Sequence, residues 1–548
     1  MLNRRSRAVV ALTALVLMGV VLSGTGPAPD VDADRSAQGP ATAGTLPLDL
    51  VLGGQTRPNI VVIMADDMRD DDLQHMPRTG RLLADQGVRF VNSFSPHPTC
   101  CPARASFATG KYTHNHHVWS NRGPYGGFPA FDDSATMPVA LNEAGYATVF
   151  LGKYLNGYGW DLLPDGSSSK TYVPPGWTDW RALARGIYDY FDTTLNINGT
   201  LRRTRGWYQT RMLGAESRGV ISRQARSPRP FFLWASYVSP HTGKPNEKDD
   251  PASIVQEDGR TRGLPTAARP ADARDLFDST ISRAPGAEGE VDVSDKPLFI
   301  RKKPSVDDSA RAALTEVARQ RAEALWVLDQ EVARTIRALE RAGELEDTVV
   351  MFTSDNGYLL GEHRILQGKL LPYEPALRVP LLVRGPGIPA GEVRTEPVLS
   401  IDFAPTFLEL AGAQPDATID GMSFLDANAA GDPTRDPTSD SDTGWSRAIL
   451  TETGPRPLGS TTVDRTLPLG ADPIRFTQGV RTGRYLYVEH ATGERELYDM
   501  RSDPDQLDNL AASRPAAPVA RQLAALLDEL RDCTGADCQE PAPSSLHR

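Results

Sequence analysis

Two runs of apolar and β-branched residues, Asn59-Ile60-Val61-Val62-Ile63-Met64 and Thr348-Val349-Val350-Met351-Phe352-Thr353, stand far apart in the chain, and each leads into oxygen-bearing side chains. Neither run alternates polar with apolar. Each therefore reads as a strand covered on both faces, the pattern of a parallel sheet between layers of helix. The first continues into Ala65-Asp66-Asp67 and the second into Ser354-Asp355-Asn356-Gly357. Open α/β sheets bind ligands beyond the carboxyl ends of their strands, so the two pairs are expected to meet at one site. Asp66, Asp67, Asp355 and Asn356 make an all-oxygen set with three negative charges and one amide. Such a set suits calcium or magnesium rather than a metal that prefers nitrogen or sulfur, and calcium suits so irregular a group better. Taken alone, either pair would read more simply as a turn or a helix cap.

The segment between the runs supports the same grammar. Residues 310–342 carry Leu325, Leu328, Val332, Ile336 and Leu339 at helical spacing, with Gly343 as a stop, so a long helix leads into the second strand. Phe231-Phe232-Leu233-Trp234-Ala235 and Pro380-Leu381-Leu382-Val383 read as further core strands. Residues 244–304 are polar and rich in Pro, Asp and Arg, and read as an irregular insertion of the kind that shapes a substrate rim. Residues 426–446 read as a surface loop. Strands over 476–481 and 485–488 and a helix over 518–531 follow as a second unit, and no internal repeat is visible.

A chain of 548 residues has room for a large core and a smaller one. Its net charge of −11 excludes general nucleic-acid binding, so an anionic ligand must be held by a few placed cations. Arg4, Arg5 and Arg7 precede an apolar run from Ala8 to Leu22 and then small residues, the build of a secretory signal that implies export; an uncleaved anchor is the alternative. No other stretch approaches the ~20 apolar residues of a membrane span. Of the four cysteines, Cys533 and Cys538 flank a short glycine-containing loop that a disulfide could close in an oxidising compartment, which leaves Cys101 without a partner.

Cys100-Cys101-Pro102-Ala103-Arg104 runs on into Ala105-Ser106-Phe107-Ala108-Thr109-Gly110. Proline suits a first helical turn and glycine a stop, so Cys100 is expected at a helix N-terminus, where free N–H groups and the macrodipole favour an anion. The stretch matches the C-x-P-x-R signal of the sulfatases, in which the first cysteine is oxidised to formylglycine. With GKYLNGYG from Gly152, TSDNGY from Thr353, YEPALRVPLLVRGPGI from Tyr373, Ile401-Asp402-Phe403-Ala404-Pro405-Thr406 and Glu496-Leu497-Tyr498-Asp499, the chain resembles the sulfatases of the alkaline phosphatase superfamily over residues 57–511. Its wording is nearest the N-acetylglucosamine-6-sulfatase branch.

The resemblance implies an α/β fold with a large mixed, mainly parallel sheet flanked by helices and a smaller C-terminal α+β subdomain. The expected division is a signal peptide over 1–28, a linker over 29–56, a catalytic domain over 57–415, a C-terminal subdomain over 416–531 and a tail over 532–548. It implies that Asp66, Asp67, Asp355, Asn356 and the converted Cys100 hold one calcium ion, that Arg104 holds the formylglycine, that Lys153 and Lys369 bind sulfate oxygens, and that His241 assists the leaving group. One hydroxyl of the hydrated aldehyde would attack sulfur and the other would later expel sulfate. Many sulfatases have a histidine two residues beyond the position of Lys153. Here that position is Leu155, which leaves the proton acceptor of the elimination step open.

The expected activity is hydrolysis of a sulfate monoester on an amino sugar, a glycosaminoglycan or another sulfate ester, after maturation by a formylglycine-generating enzyme. The alternatives are an arylsulfatase, a phosphonate or phosphate ester hydrolase on the same scaffold, or a sulfated-glycan binding protein without turnover. His114, His116, His117 and His363 are crowded but match no metal ligand of the family, and read as structural or substrate-facing.

Overall fold

The run from Asn59 forms β1 (Asn59–Asp66), in which every residue is buried. The computed structural model describes residues 57–123, 125–255, 261–415, 417–425, 445, 447–457 and 474–547. The leader and linker expected over 1–56 lie outside these residues, as does the loop expected over 426–446 apart from Trp445.

Nine further strands join β1 in the main sheet: β2 (Val88–Phe90), β3 (Ala147–Gly152), β4 (Asp179–Arg185), β5 (Asp192–Ile197), β6 (Thr200–Arg205), β7 (Phe231–Pro240), β8 (Thr348–Ser354), β9 (Leu381–Arg384) and β10 (Glu392–Arg394). Their spatial order is β10-β2-β9-β8-β1-β7-β3-β4-β5-β6. The central five, from β8 to β4, are all parallel, with Ile60 opposite both Val349 and Phe232. Antiparallel pairings follow on either side, β9 and β2 beyond β8 and β5 and β6 beyond β4, and β10 closes the first edge by pairing parallel with β2. The sheet is thus mixed and mainly parallel at its centre, as expected.

Alternation along β1 feeds both layers. Ile60, Val62 and Met64 pack with α1 (Cys100–Thr109), α2 (Met137–Glu143) and α5 (Phe403–Ala411), while Val61, Ile63 and Ala65 pack with α3 (Gln209–Gln224) and α4 (Asp308–Ala342). Each fully buried Val or Ile side chain contributes about 1.5–3 kcal/mol, which is why a run without polar interruption can hold only a central position. Helix α4 begins where the Asp307 side chain accepts from the Ala310 N–H at 2.8 Å, and it ends at Gly343, whose φ of 77° suits glycine. Between 244 and 304 the described chain holds only two-residue strands and short helical turns, in keeping with an insertion.

A second, antiparallel sheet follows in the order β11 (Ile449–Pro457), β12 (Ile474–Arg481), β13 (Tyr485–His490), β14 (Arg495–Asp499), with α6 (Ala517–Leu530) packed against it. Leu523, Leu527 and Leu530 share one core with Leu450, Val480 and Tyr487, and also with Phe94, Tyr112 and Ile401 from the first part of the chain. Cys533 and Cys538 are joined by a disulfide and buried in that same core. Among the described residues no helix is long and apolar enough to cross a membrane.

Candidate active site

Four neighbouring parallel strands, β8, β1, β7 and β3, release the chain at the same edge of the sheet. At or just past their ends stand Asp355 and Asn356, Asp66 and Asp67, His241, and Lys153 respectively. The register of β1 against β7 shifts between Met64 and Asp66, and Asp67 takes a left-handed φ of 65°. A non-glycine residue in that region is strained, and such strain collects at functional sites. Gly152 turns at φ 107° immediately before Lys153, so close to the Ser236 carbonyl that a Cβ would lie 1.8 Å from its oxygen.

Helix α1 supplies the remaining pair. Cys100 is its first residue, fully buried, with Sγ 3.4 Å from Asp66 Oδ1 and 3.9 Å from Asp67 Oδ1. Arg104 lies one turn further on the same face. Its Nε donates to Asp355 Oδ2 at 2.8 Å and its Nη1 donates to the Lys153 carbonyl at 2.7 Å and to Ser236 Oγ at 2.5 Å. Lys153 forms an ion pair with Asp66, and Lys369 with Asp67, while Lys369 Nζ is also 2.7 Å from Cys100 Sγ. Lys369 comes from a loop pinned beside α1 by the Leu370 N–H, which donates to the Pro98 carbonyl at 3.1 Å. His241 Nδ1 meets the Thr242 carbonyl at 2.7 Å, and Nε2 lies 3.6 Å from Asp67 Oδ2. The catalytic and metal-binding positions expected from the sequence thus all converge.

The electrostatics follow from burial and crowding. Three carboxylates sealed from water need compensating positive charge, and Arg104, Lys153 and Lys369 provide it. Burial alone would raise the Asp355 carboxyl, but Arg104, then Lys153 and Lys369, outweigh it and hold the group below its ordinary range. Burial would likewise weaken the charge on Lys153, yet Asp66 keeps its ammonium protonated well above the usual value. The Cys100 thiol is pushed far up, first by burial and then by Asp66, so the encoded thiol is a poor nucleophile at neutral pH.

The donor set fits a hard divalent cation. The carboxylates of Asp66, Asp67 and Asp355 and the amide of Asn356 are buried and connected, Asp67 N–H donating to Asp355 Oδ1 at 3.2 Å and Asn356 Nδ2 to Asp67 Oδ1 at 2.7 Å. The amide oxygen of Asn356, the atom that could ligate a cation, lies 3.5 Å from Lys369 Nζ, while Nδ2 also donates to the Gly357 carbonyl at 2.8 Å. Arg104, Lys153 and Lys369 already balance the three carboxylates, so a bound divalent cation would leave the site net positive and attractive to an anion. Lys153 and His241 open onto a cleft of about 640 Å³ that is also lined by Tyr188, Asn156, Trp160 and Lys244.

Three participants carry no motif that sequence reasoning could have used. Ser236 bridges Arg104 and the Lys153 carbonyl; Tyr188 stacks on His241; and Arg321, inside α4, donates to the Asp67 carbonyl at 2.7 Å and to Asp72 at 2.6 Å. The crowded histidines have other tasks. His114 binds Glu452 and the Cys533 carbonyl, His116 bonds Ser106 Oγ, His363 pairs with Glu290 and stacks on Tyr373, and His117 caps a short helical turn at φ 60°. The group formed by His114, Cys533 and Cys538 could offer metal ligands only if the disulfide were broken.

A mainly parallel α/β sheet with buried carboxylates and cations gathered at its strand ends defines a hydrolase of anionic esters. The chain matches the sulfatase family over residues 58–413. It is 31% identical over 517 residues to an arylsulfatase from Volvox carteri, covering 88% of this chain and 76% of that one. It is also 31% identical over 520 residues to the N-acetylglucosamine-6-sulfatase of Capra hircus, covering 89% and 86%. A solved structure in complex with its substrate D-glucosamine-2-N,6-O-disulfate shares the fold at a TM-score of 0.66 and 21% identity, over 88% of this chain and 98% of that one. The chain belongs to the sulfatase family, and its class of activity is that of a sulfuric ester hydrolase.

Proposed function

We propose that this chain is an exported sulfatase that depends on calcium and formylglycine and hydrolyses a sulfate monoester of an amino sugar or glycosaminoglycan to the alcohol and inorganic sulfate. The observation that carries the reading is the meeting of Asp66, Asp67, Asp355, Lys153, Lys369, Arg104 and His241 around residue 100. Likeness over most of the length of an N-acetylglucosamine-6-sulfatase supports the amino-sugar substrate. The basic and apolar leader supports export, and so does the buried disulfide, a bond of oxidising compartments.

Asp66, Asp67, Asp355 and Asn356 would hold one calcium ion together with residue 100, and a bound calcium would draw charge from the sulfuryl oxygens. Conversion of Cys100 by a formylglycine-generating enzyme would give it an aldehyde whose hydrate supplies the attacking hydroxyl. Arg104 fixes the position of that residue by spanning from α1 to Asp355 and Ser236. Lys153 and Lys369 meet the sulfate oxygens with fixed positive charge, already in place before substrate arrives. His241, with Nδ1 held on the Thr242 carbonyl, turns Nε2 toward the anion site and gives the leaving oxygen its proton. Catalysis is assigned to residues 57–415, with 416–531 as a supporting subdomain.

The test is hydrolysis, by enzyme that carries the converted residue, of glucosamine 6-sulfate, read as sulfate release, and of 4-nitrophenyl sulfate and a 4-nitrophenyl phosphonate, read as 4-nitrophenol release. Turnover of glucosamine 6-sulfate with the phosphonate left intact is the expected result. Preference for the phosphonate would replace the sulfatase reading by the phosphonate hydrolase one, and cleavage of the aryl ester alone would make the enzyme an arylsulfatase.

A further inference from the structure

Tyr188 sits between two of the groups that face the anion. Its ring stacks on that of His241, centroids 4.3 Å apart and planes 20° from parallel, and Lys153 Nζ lies 5.0 Å from the centroid of the same ring. The tyrosine is itself held: its hydroxyl accepts from Asn156 Nδ2 at 3.1 Å, and its carbonyl accepts from the Lys244 N–H at 2.6 Å. It lines the cleft and is half-buried, so one ring braces side chains delivered by β7 and β3 where substrate enters. Among the described residues, His241 is the one imidazole grouped with Asp66, Asp67 and Cys100.

We propose that Tyr188 is a positioning residue that sets the His241 ring for proton delivery to the leaving ester oxygen. The inference rests on the role given to His241 above. A stacked imidazole whose Nδ1 is already committed to a carbonyl has no remaining ring rotation, so Nε2 keeps one direction. In the step concerned the deprotonated hydroxyl of the converted residue 100 would bond to sulfur as the S–O ester bond breaks, the electron pair of the broken bond goes to the sugar oxygen, and the Nε2 proton of the doubly protonated ring passes to that oxygen, leaving His241 neutral with its Nδ1–H on the Thr242 carbonyl. A sugar alkoxide needs that proton; a nitrophenolate leaves without it.

The experiment measures kcat for glucosamine 6-sulfate and for 4-nitrophenyl sulfate in the wild-type enzyme and in the Y188L, Y188F, H241A and Y188L/H241A variants. The ratio of the two kcat values is independent of how much of each preparation is folded. Y188L is expected to lower the sugar-to-aryl ratio about ten-fold, a fraction of what general acid catalysis contributes. Y188F, which keeps the ring, should restore the ratio to within about two-fold of wild type, and the double variant should fall no lower than H241A. Equal loss on both substrates in Y188L, or a change confined to KM, overturns the role of Tyr188 while leaving that of His241 standing. An unshifted ratio in H241A overturns both, and no sulfate release by the converted wild-type enzyme overturns the proposed function with them.

Discussion

Arg104 Nε lies 2.8 Å from Asp355 Oδ2, and neither side chain is exposed to solvent. The pair joins the helix that carries Cys100 to the end of β8, so the position of residue 100 depends on a strand far away in the chain. Replacing Arg104 by methionine keeps much of the volume and leaves Asp355 short of its partner. Removing one member of a buried pair costs about 3–5 kcal/mol. The urea midpoint of R104M, measured with a chelator present, is expected to fall accordingly and sulfate release to be lost. An unchanged midpoint would show that the pair contributes nothing to the fold.

Calcium should stabilise the protein as well as support turnover. A ligand at a hundred times its dissociation constant adds about 2.7 kcal/mol, so the thermal midpoint should rise on titration with calcium and fall back with a chelator. Asp355→Asn removes one charge from the set and should abolish most of that rise. The shift is read by calorimetry on Cys100-containing protein, without any assay of activity. A D355N variant that responds to calcium like the wild type removes Asp355 from the metal site.

His114 makes stability depend on pH. Burial would lower its pKa, but the hydrogen bond to Glu452, that residue's charge and the Cys533 carbonyl outweigh this and lift it from 6.5 to about 9. A folded-state pKa above the unfolded one means that the contribution is full below about 6.5 and is lost as pH rises through about 9. The gap in thermal midpoint between the wild type and H114Q should therefore narrow between those limits. A gap that widens with rising pH would reverse the assignment of charge to this pair.

Gly152 is a position beside the site where a single methyl group should do severe harm. Its φ of 107°, and the 1.8 Å that would separate an added Cβ from the Ser236 oxygen, leave no room between β3 and β7. Gly152→Ala must push the strands apart beside Lys153 and Ser236, and a loss of more than about 3 kcal/mol is expected from strain of this kind. Equilibrium unfolding gives the number directly. A G152A protein of wild-type stability would mean that the turn relaxes freely.

Much of this site could be read from the chain because β1 and β8 are covered on both faces. Val61, Val62, Val349 and Val350 leave no polar gap in their strands, and the carboxylates begin where the apolar run stops. Helix α4 announced itself by spacing and by Gly343. The strands from Asp179 to Arg205 did not, since β6 is almost wholly exposed and its arginines carry no apolar alternation. Ser236, Tyr188 and Arg321 were invisible for a different reason. Each acts through a neighbour brought in by the fold, as when Arg321 leaves the apolar stripe of α4 to hold the Asp67 carbonyl, and no local pattern records such a partner.

The state of residue 100 tests the central claim most directly. Peptide mass spectrometry on fractions of graded specific activity should find formylglycine at position 100, with sulfate release rising in proportion to the converted share and absent from C100A. Full activity in protein whose Cys100 remains a thiol would contradict the account.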